Sequence, residues 1–212
     1  MKRGRKKAEN PETAQRILAA AEIHFAEHGL AGARTDEIAA AAHANKAMLY
    51  YYFGSKQRLH RAVLENLLGQ LNEVALAPGP RGAGPRDRLL RWVNGYFSFL
   101  ATHPNYPRLV QRESMDATPE FQWIVKKYFR PFHRHLSKVI EDGVAAGELR
   151  KVDAHQTVFS LLGMTAFYFV AARSMGKILK RNLLSPEALE VRRRAMLDFV
   201  ECGLLRKEKG SR

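Results

Sequence analysis

The pattern of apolar and polar positions predicts helices along the whole chain. Apolar side chains recur three and four residues apart, as at Ile17, Ala21 and Phe25, whereas the alternation typical of a half-buried strand is missing. Nine helices are expected: residues 12–28, one from 35, one after Asn45, 55–76, 85–102, a short one from 104, 118–147, 154–181 and 185–205. The sequence therefore predicts an all-α fold.

Local breakers and caps set the expected helix boundaries. Gly29 should end the first helix, and Thr35 should cap the second with its hydroxyl. The proline- and glycine-rich residues 78–85 predict a flexible loop, and Pro131 should kink the seventh helix because it has no N–H to donate. We expect a basic, disordered arm over residues 1–11, a small domain over 12–66 and a larger one over 67–212.

Residues 35–53 carry the pattern of a helix-turn-helix. Two short helices are separated only by His43 and Ala44, and Asn45 is a good cap for the second of them. Leu49 and Phe53, four residues apart, should anchor that helix to the core. Its other face then presents a lysine, a methionine and tyrosines, which are side chains able to reach phosphates and base edges in a DNA major groove.

Residues 12–68 resemble the DNA-binding domain of the tetracycline-repressor (TetR) family of transcriptional regulators. The shared motif is Ile38-Ala39, Ala42, the run from Leu49 to Phe53 and Gly54-Ser55-Lys56 at the family's spacing. The resemblance implies a recognition helix that faces the groove through Lys46, Tyr50 and Tyr52, and a phosphate contact from Lys56. The DNA-contacting positions that we expect from it are Arg34, Thr35, Asn45, Lys46, Ala47, Met48, Tyr50, Tyr51, Tyr52 and Lys56.

Three positions depart from the family pattern. His43 stands where the turn usually has glycine, Ala44 stands where it usually has valine, and Met48 replaces a small residue. A non-glycine residue in a left-handed turn costs roughly 1 kcal/mol, although histidine is among the better tolerated residues there.

The C-terminal part concentrates large aromatic residues, which favours an apolar core and leaves room for a small-molecule pocket. The family resemblance implies such a pocket, and we expect it between the fifth and seventh helices. Its expected lining is Trp92, Tyr96, Phe97, Leu100, Leu109, Glu113, Phe121, Val125, Tyr128, Phe129, Phe132, Phe167 and Tyr168. Arg112 and His133 are further candidates for a polar ligand end, with exposed salt bridges as the alternative interpretation.

The eighth helix has more apolar residues than one buried face requires, so a second surface needs a cover. The resemblance implies a C2 dimer in which the eighth and ninth helices pack against their copies. The expected interface residues are Phe169, Ala172, Leu189, Met196, Phe199 and Val200. The alternative is that the last two helices simply cover each other.

Composition narrows the functional classes. The net charge of +14 favours nucleic acid as a partner, although residues 1–66 account for only +4 of it. We expect no spanning helix, no signal peptide and hence a cytoplasmic protein. The lone Cys202 excludes an internal disulfide, the eight histidines suggest no metal site, and no catalytic motif supports an enzyme or a cofactor.

Three functions remain open from the sequence. The favoured one is a homodimeric repressor that a small-molecule effector releases from a pseudo-palindromic, double-stranded DNA operator. The second is a constitutive dimeric DNA-binding protein without a ligand. The third is a helical enzyme or adaptor in which residues 50–53 are only core.

Overall fold

A computed structural model describes residues 11–77, 79–116 and 119–206. The expected basic arm lies outside these residues, apart from Pro11. The helices are α1 (Pro11–Gly32), α2 (Thr35–Ala41), α3 (Lys46–Phe53), α4 (Lys56–Ala75), α5 (Pro85–Thr102), α6 (Tyr106–Asp116), α7 (Pro119–Ile124), α8 (Arg130–Ala145), α9 (Ala154–Leu179) and α10 (Pro186–Leu204). The predicted all-α class is confirmed.

A π-helical turn at Val125–Phe129 joins α7 to α8, so these three elements form the predicted seventh helix with an interruption. The interruption precedes Pro131, where the kink was expected, and Pro131 itself lies in the first turn of α8. A proline is tolerated in a first turn, and the wider π turn accommodates its missing hydrogen bond. The predicted eighth and ninth helices correspond to α9 and α10.

The chain forms two compact units, of which the first ends at Leu67. Its core is built from fully buried side chains of α1, α2 and α3, including Ile17, Phe25, Ile38 and Leu49. The His60 ring packs edge-on against Phe25, with ring centroids 4.7 Å apart. Each such large apolar side chain stabilises the fold by about 1.5–3 kcal/mol when it is buried, which explains how α1, α2 and α3 keep one arrangement.

The second unit begins at Leu68 and has α5 at its centre. This helix packs against α8, α9 and α10, and α8 also packs against α9. The buried positions of α5 are Leu89, Trp92, Val93, Tyr96, Phe97, Phe99 and Leu100. The expectation that this helix is buried in the domain centre is thus confirmed.

The helix α9 has apolar residues on more than one side, as the sequence predicted. By length and composition alone, α9 is the single helix of the described chain that could cross a membrane; its mean hydropathy is 1.4 and 28% of its most apolar stretch is buried. A helix that packs inside a protein passes the same test, and α9 packs against α5, α6 and α8.

Candidate functional site

The turn between α2 and α3 has the predicted local geometry. His43 adopts a left-handed conformation with φ of 50°, and the Asn45 side chain accepts a hydrogen bond of 2.8 Å from the Met48 N–H. The expected cap at Thr35 is wrong. Arg34 occupies the N-cap position of α2 without a side-chain bond, and Thr35 is buried as the first helical residue. Thr35 is 9% exposed, so little of its side chain is accessible for the expected DNA contact.

An arginine of α1 fixes this turn from outside the motif. The Arg16 Nε donates to the Ala42 carbonyl at 3.2 Å, and its Nη2 donates to the Thr13 hydroxyl at 3.1 Å. The Ala42 carbonyl belongs to the C-terminal end of α2, where helical carbonyls lack partners within the helix. The contact of Arg16 could not be predicted from local sequence pattern, because its partner lies 26 residues away.

One face of α3 offers polar and aromatic groups to solvent. Lys46, Ala47, Tyr50 and Tyr51 are exposed, and Tyr51 retains 67% of its surface. Asn45, the N-cap of α3, and Arg34, the N-cap of α2, are exposed as well, whereas Met48 and Tyr52 are half-buried. The opposite side of α3 buries Leu49 completely and Phe53 in part. The helix is therefore amphipathic in the way that a groove-binding helix requires.

The ammonium of Lys46 is paired with a carboxylate of the preceding helix. Its Nζ lies 2.9 Å from Asp36 Oδ1 and 3.1 Å from Oδ2. This hydrogen bond and the charge of Asp36 raise the pKa of Lys46, so the side chain stays cationic. Asp36 holds the ammonium at the edge of the exposed face, where a phosphate would have to compete with the carboxylate.

Lys56, expected to contact a phosphate, has a structural role as well. Its Nζ donates to the Ala31 carbonyl at 3.2 Å and to the Ala33 carbonyl at 3.1 Å. The start of α4 is thereby joined to the residues at the end of α1, next to the kink at Gly29 (φ 68°). An ammonium has three donors, which leaves one N–H for a further acceptor.

The second unit contains a cavity of about 880 Å³ between α9 and the α7–α8 segment, by which we mean α7, the π turn and α8 together, residues 119–145. Its apolar lining consists of Phe121, Val125, Phe129, Phe132, Phe159 and Leu162. Four of these residues, those from α7 to α8, belong to the expected lining. Phe159 and Leu162 on α9 were not expected.

Nine of the expected lining residues do not border this cavity. Trp92, Tyr96, Phe97, Leu100, Leu109, Glu113 and Tyr128 are buried, Phe167 is 69% exposed, and Tyr168 donates its hydroxyl to the Leu183 carbonyl at 2.6 Å. The rings of α5 fill the space that we had expected to be open. Trp92 stacks on Tyr96 at 5.3 Å and meets Phe132 at 5.2 Å, and it borders a smaller cavity of about 350 Å³.

The polar lining of the larger cavity comes mostly from α8. Its members are Arg130, His133, Arg134, Ser137, Lys138 and Glu141 on α8 and His155 on α9. The imidazoles of His133 and His155 are stacked, with centroids 5.0 Å apart and planes 6° from parallel. Burial and the neighbouring His155 lower the pKa of His133. His155 also lies 3.4 Å from the Ser137 hydroxyl, measured to Nδ1.

Most of the expected dimer residues are core residues of one protomer. Phe169, Ala172, Met196 and Val200 are at most 3% exposed, and the Met196 sulfur accepts from the Thr165 hydroxyl at 3.3 Å. The reason is that α9 and α10 both pack against α5. Leu189 is half-buried and Phe199 is 68% exposed. Two large apolar side chains outside the expected interface are also exposed, Ile178 on α9 and Val191 on α10.

Within the described residues, no cluster of three or more histidine, cysteine, aspartate or glutamate side chains could hold a metal ion.

Comparisons with known proteins agree with this arrangement. The family model described as "Bacterial regulatory proteins, tetR family" matches residues 17–63, and the one described as "Tetracyclin repressor-like, C-terminal domain" matches residues 85–200. The HTH-type transcriptional repressor SCO4008 of Streptomyces coelicolor is 33% identical over 175 residues, which cover 81% of this chain and 86% of the relative.

Solved structures share the fold over most of its length. The TetR family transcriptional regulator PfmR from Thermus thermophilus is 25% identical and superposes with a TM-score of 0.70, over 90% of this chain and 100% of PfmR. AibR, solved with isovaleryl coenzyme A and operator DNA, is 20% identical with a TM-score of 0.72, over 88% of this chain and 97% of AibR. The chain therefore belongs to the tetracycline-repressor family of DNA-binding transcriptional regulators.

Proposed function

We propose that the protein is a homodimeric repressor that leaves its operator when a small apolar or amphipathic molecule occupies the cavity of the second unit. The observation that carries this proposal is the cavity itself. Its volume of about 880 Å³ and its six apolar lining residues are typical of small-molecule sites. The centre of α5 is instead filled by buried aromatic rings, among them Trp92 and Tyr96.

The exposed face of α3 would read the DNA. We assign Lys46, Tyr50 and Tyr51 to the groove or its edge because they are exposed on one side of a helix whose other side is buried. Arg34, Asn45 and Ala47 flank them, and Met48 and Tyr52 contribute their accessible atoms. Two such helices in successive major grooves, about 34–36 Å apart, would give a dimer its specificity.

The dimer would use the exposed apolar residues of α9 and α10. Phe167 and Ile178 on α9, and Val191 and Phe199 on α10, each keep more than two thirds of their surface in one protomer. Such surface on the last two helices is typical of a protein interface. We assign it to a second copy rather than to a membrane, and we propose that the protein works in the cytoplasm with operator DNA, effector and a second copy as its partners.

Sedimentation of two charge variants tests the dimer. Phe199→Glu places a carboxylate at the proposed interface without disturbing the core of the protomer, so we expect monomers with unchanged helicity. Met115→Glu is the matched control, because Met115 on α6 is 78% exposed and lies outside α9 and α10. A Phe199→Glu protein that still sediments as a dimer would place the interface elsewhere.

A test of ligand gating needs a DNA target and a variant whose cavity is blocked. Double-stranded DNA selected by the protein from a random pool supplies the target, and fluorescence anisotropy then measures release by a panel of apolar and amphipathic compounds. Leu162→Trp should fill the cavity and abolish release while DNA binding persists. Leu179→Trp, on the exposed end of the same helix, is the control.

The alternative is a constitutive dimeric DNA-binding protein that has no ligand. It predicts sequence-specific binding that no compound weakens, and equal behaviour of the two tryptophan variants. The ligand-gated repressor predicts reciprocity instead, so that operator DNA weakens the compound by the same factor by which the compound weakens DNA. Calorimetry with and without DNA distinguishes the two.

A further inference from the structure

The cavity between the α7–α8 segment and α9 has chemically distinct sides. Phe121, Phe129 and Phe159 supply aromatic surface, and Phe159 keeps 64% of its area exposed in the protomer. The cationic side chains of Arg130, Arg134 and Lys138 border the same cavity. They follow one another at intervals of four residues on α8, so they lie along one face of that helix.

The charges at this face do not cancel. Glu141 is the one carboxylate among the lining residues, against three permanent cations. Lys138 is already neutralised in part, because its Nζ lies 2.7 Å from Asp142 Oδ1. Arg130 and Arg134 form no ion pair with any described residue, and both are exposed. Two guanidinium groups therefore remain available where the cavity meets solvent.

Further hydrogen-bonding side chains continue this polar side. His133 and His155 stack on each other and Ser137 lies beside His155, all three bordering the cavity. Imidazole nitrogens and a hydroxyl can orient a polar head group without adding negative charge. The guanidinium fork matches a planar carboxylate in two parallel hydrogen bonds.

We propose that the effector is an amphipathic anion, whose acidic head group is held by Arg130 and Arg134 and whose apolar body lies against Phe121, Phe129 and Phe159. This inference rests on the proposed ligand-gated function and specifies the chemical class of its ligand. A neutral drug-like compound would leave both guanidinium groups unused, and a cation would meet repulsion.

Three probes with the same twelve-carbon chain test the head group: dodecanoate, dodecanol and dodecyltrimethylammonium. Isothermal calorimetry on the full-length protein, without DNA and below the micelle concentration, gives each dissociation constant. We expect dodecanoate to bind at least tenfold more tightly than dodecanol, which is about 1.4 kcal/mol. The cation should bind most weakly, and the preference for the anion should shrink as salt is added.

Matched double variants locate the contact. Arg130→Gln combined with Arg134→Gln should bring dodecanoate to the affinity of dodecanol. Arg150→Gln combined with Lys151→Gln removes the same charge from exposed positions outside the cavity and should preserve the preference. Phe159→Ala should weaken dodecanoate and dodecanol by equal factors, because the apolar body is common to both.

The possible results distinguish a failure of the anionic assignment from a failure of ligand gating. Equal affinities for dodecanoate and dodecanol, a preference for the cation, or no binding of any probe would overturn the anionic assignment. If dodecanoate binds preferentially but leaves DNA bound, the assignment stands and gating fails. If a neutral or cationic compound releases DNA instead, gating stands and the anionic assignment fails.

Discussion

Lys56 combines a structural role with a proposed DNA contact, and one substitution separates the two. Lys56→Met keeps most of the apolar stem but removes the bonds to the Ala31 and Ala33 carbonyls, at 3.2 and 3.1 Å. A hydrogen bond from a charged group contributes about 1.5–3 kcal/mol. Solvent reaches this site and can replace part of both bonds, so we expect the unfolding free energy to fall by about 1–2 kcal/mol in total.

Thermal unfolding followed by circular dichroism measures this loss. For a protein of this size, 1 kcal/mol shifts the midpoint by about 2–4 °C, so the expected shift is roughly 2–8 °C. The phosphate contact has a separate measure, because removing one contact should lower the slope of log affinity against log salt by about 0.9.

Lys46→Met is the control for stability, since Lys46 is exposed and forms its ion pair with Asp36, which is exposed as well. It should leave the midpoint unchanged. A Lys56→Met protein with unaltered stability would refute the structural role, and an unaltered salt slope would refute the phosphate contact.

Further substitutions test other parts of the molecule. His43→Gly and Lys180→Gly should each raise the unfolding free energy by about 0.5 kcal/mol, because both residues have φ of 50°. Glycine removes the steric strain of this left-handed conformation, and that gain exceeds the larger backbone entropy that glycine loses on folding. A lower unfolding midpoint in both variants would contradict this. Lys46→Ala should reduce affinity for the selected DNA roughly tenfold while binding to random DNA changes less, and equal losses on both would reassign it to the backbone. Hydrogen bonds from Arg193 and Arg194 lower the pKa of Glu190 from 4.5 to about 2. Its stabilisation is therefore present above pH 4.5 and is lost as pH falls through about 2, so Glu190→Gln should flatten that part of the stability curve in urea titrations.

The features that the sequence predicted well depend on neighbours in the chain. Asn45 caps α3 because its acceptor and the Met48 N–H are three residues apart. His43 takes the left-handed turn because only a few residues separate the helices. Helical period, caps and breakers act within one or two turns, so the all-α class and the amphipathic α3 follow from local pattern.

Tertiary packing decided the features that depend on residues distant in sequence. The apolar residues of α9 permit several buried faces, and only contact with α5, α6 and α8 selects Phe169 for the core and leaves Phe167 exposed. The aromatic residues of α5 fill the centre of the domain. The cavity lies instead where Phe129 and Phe159, distant in sequence, both contribute to its lining.

The polar contacts of α1 show the same dependence. Arg16 reaches a carbonyl 26 residues away, and Lys56 reaches two carbonyls 23 and 25 residues away. Periodicity specifies how many apolar side chains a helix carries, but shape complementarity in the packed domain specifies which of them meet and where space remains.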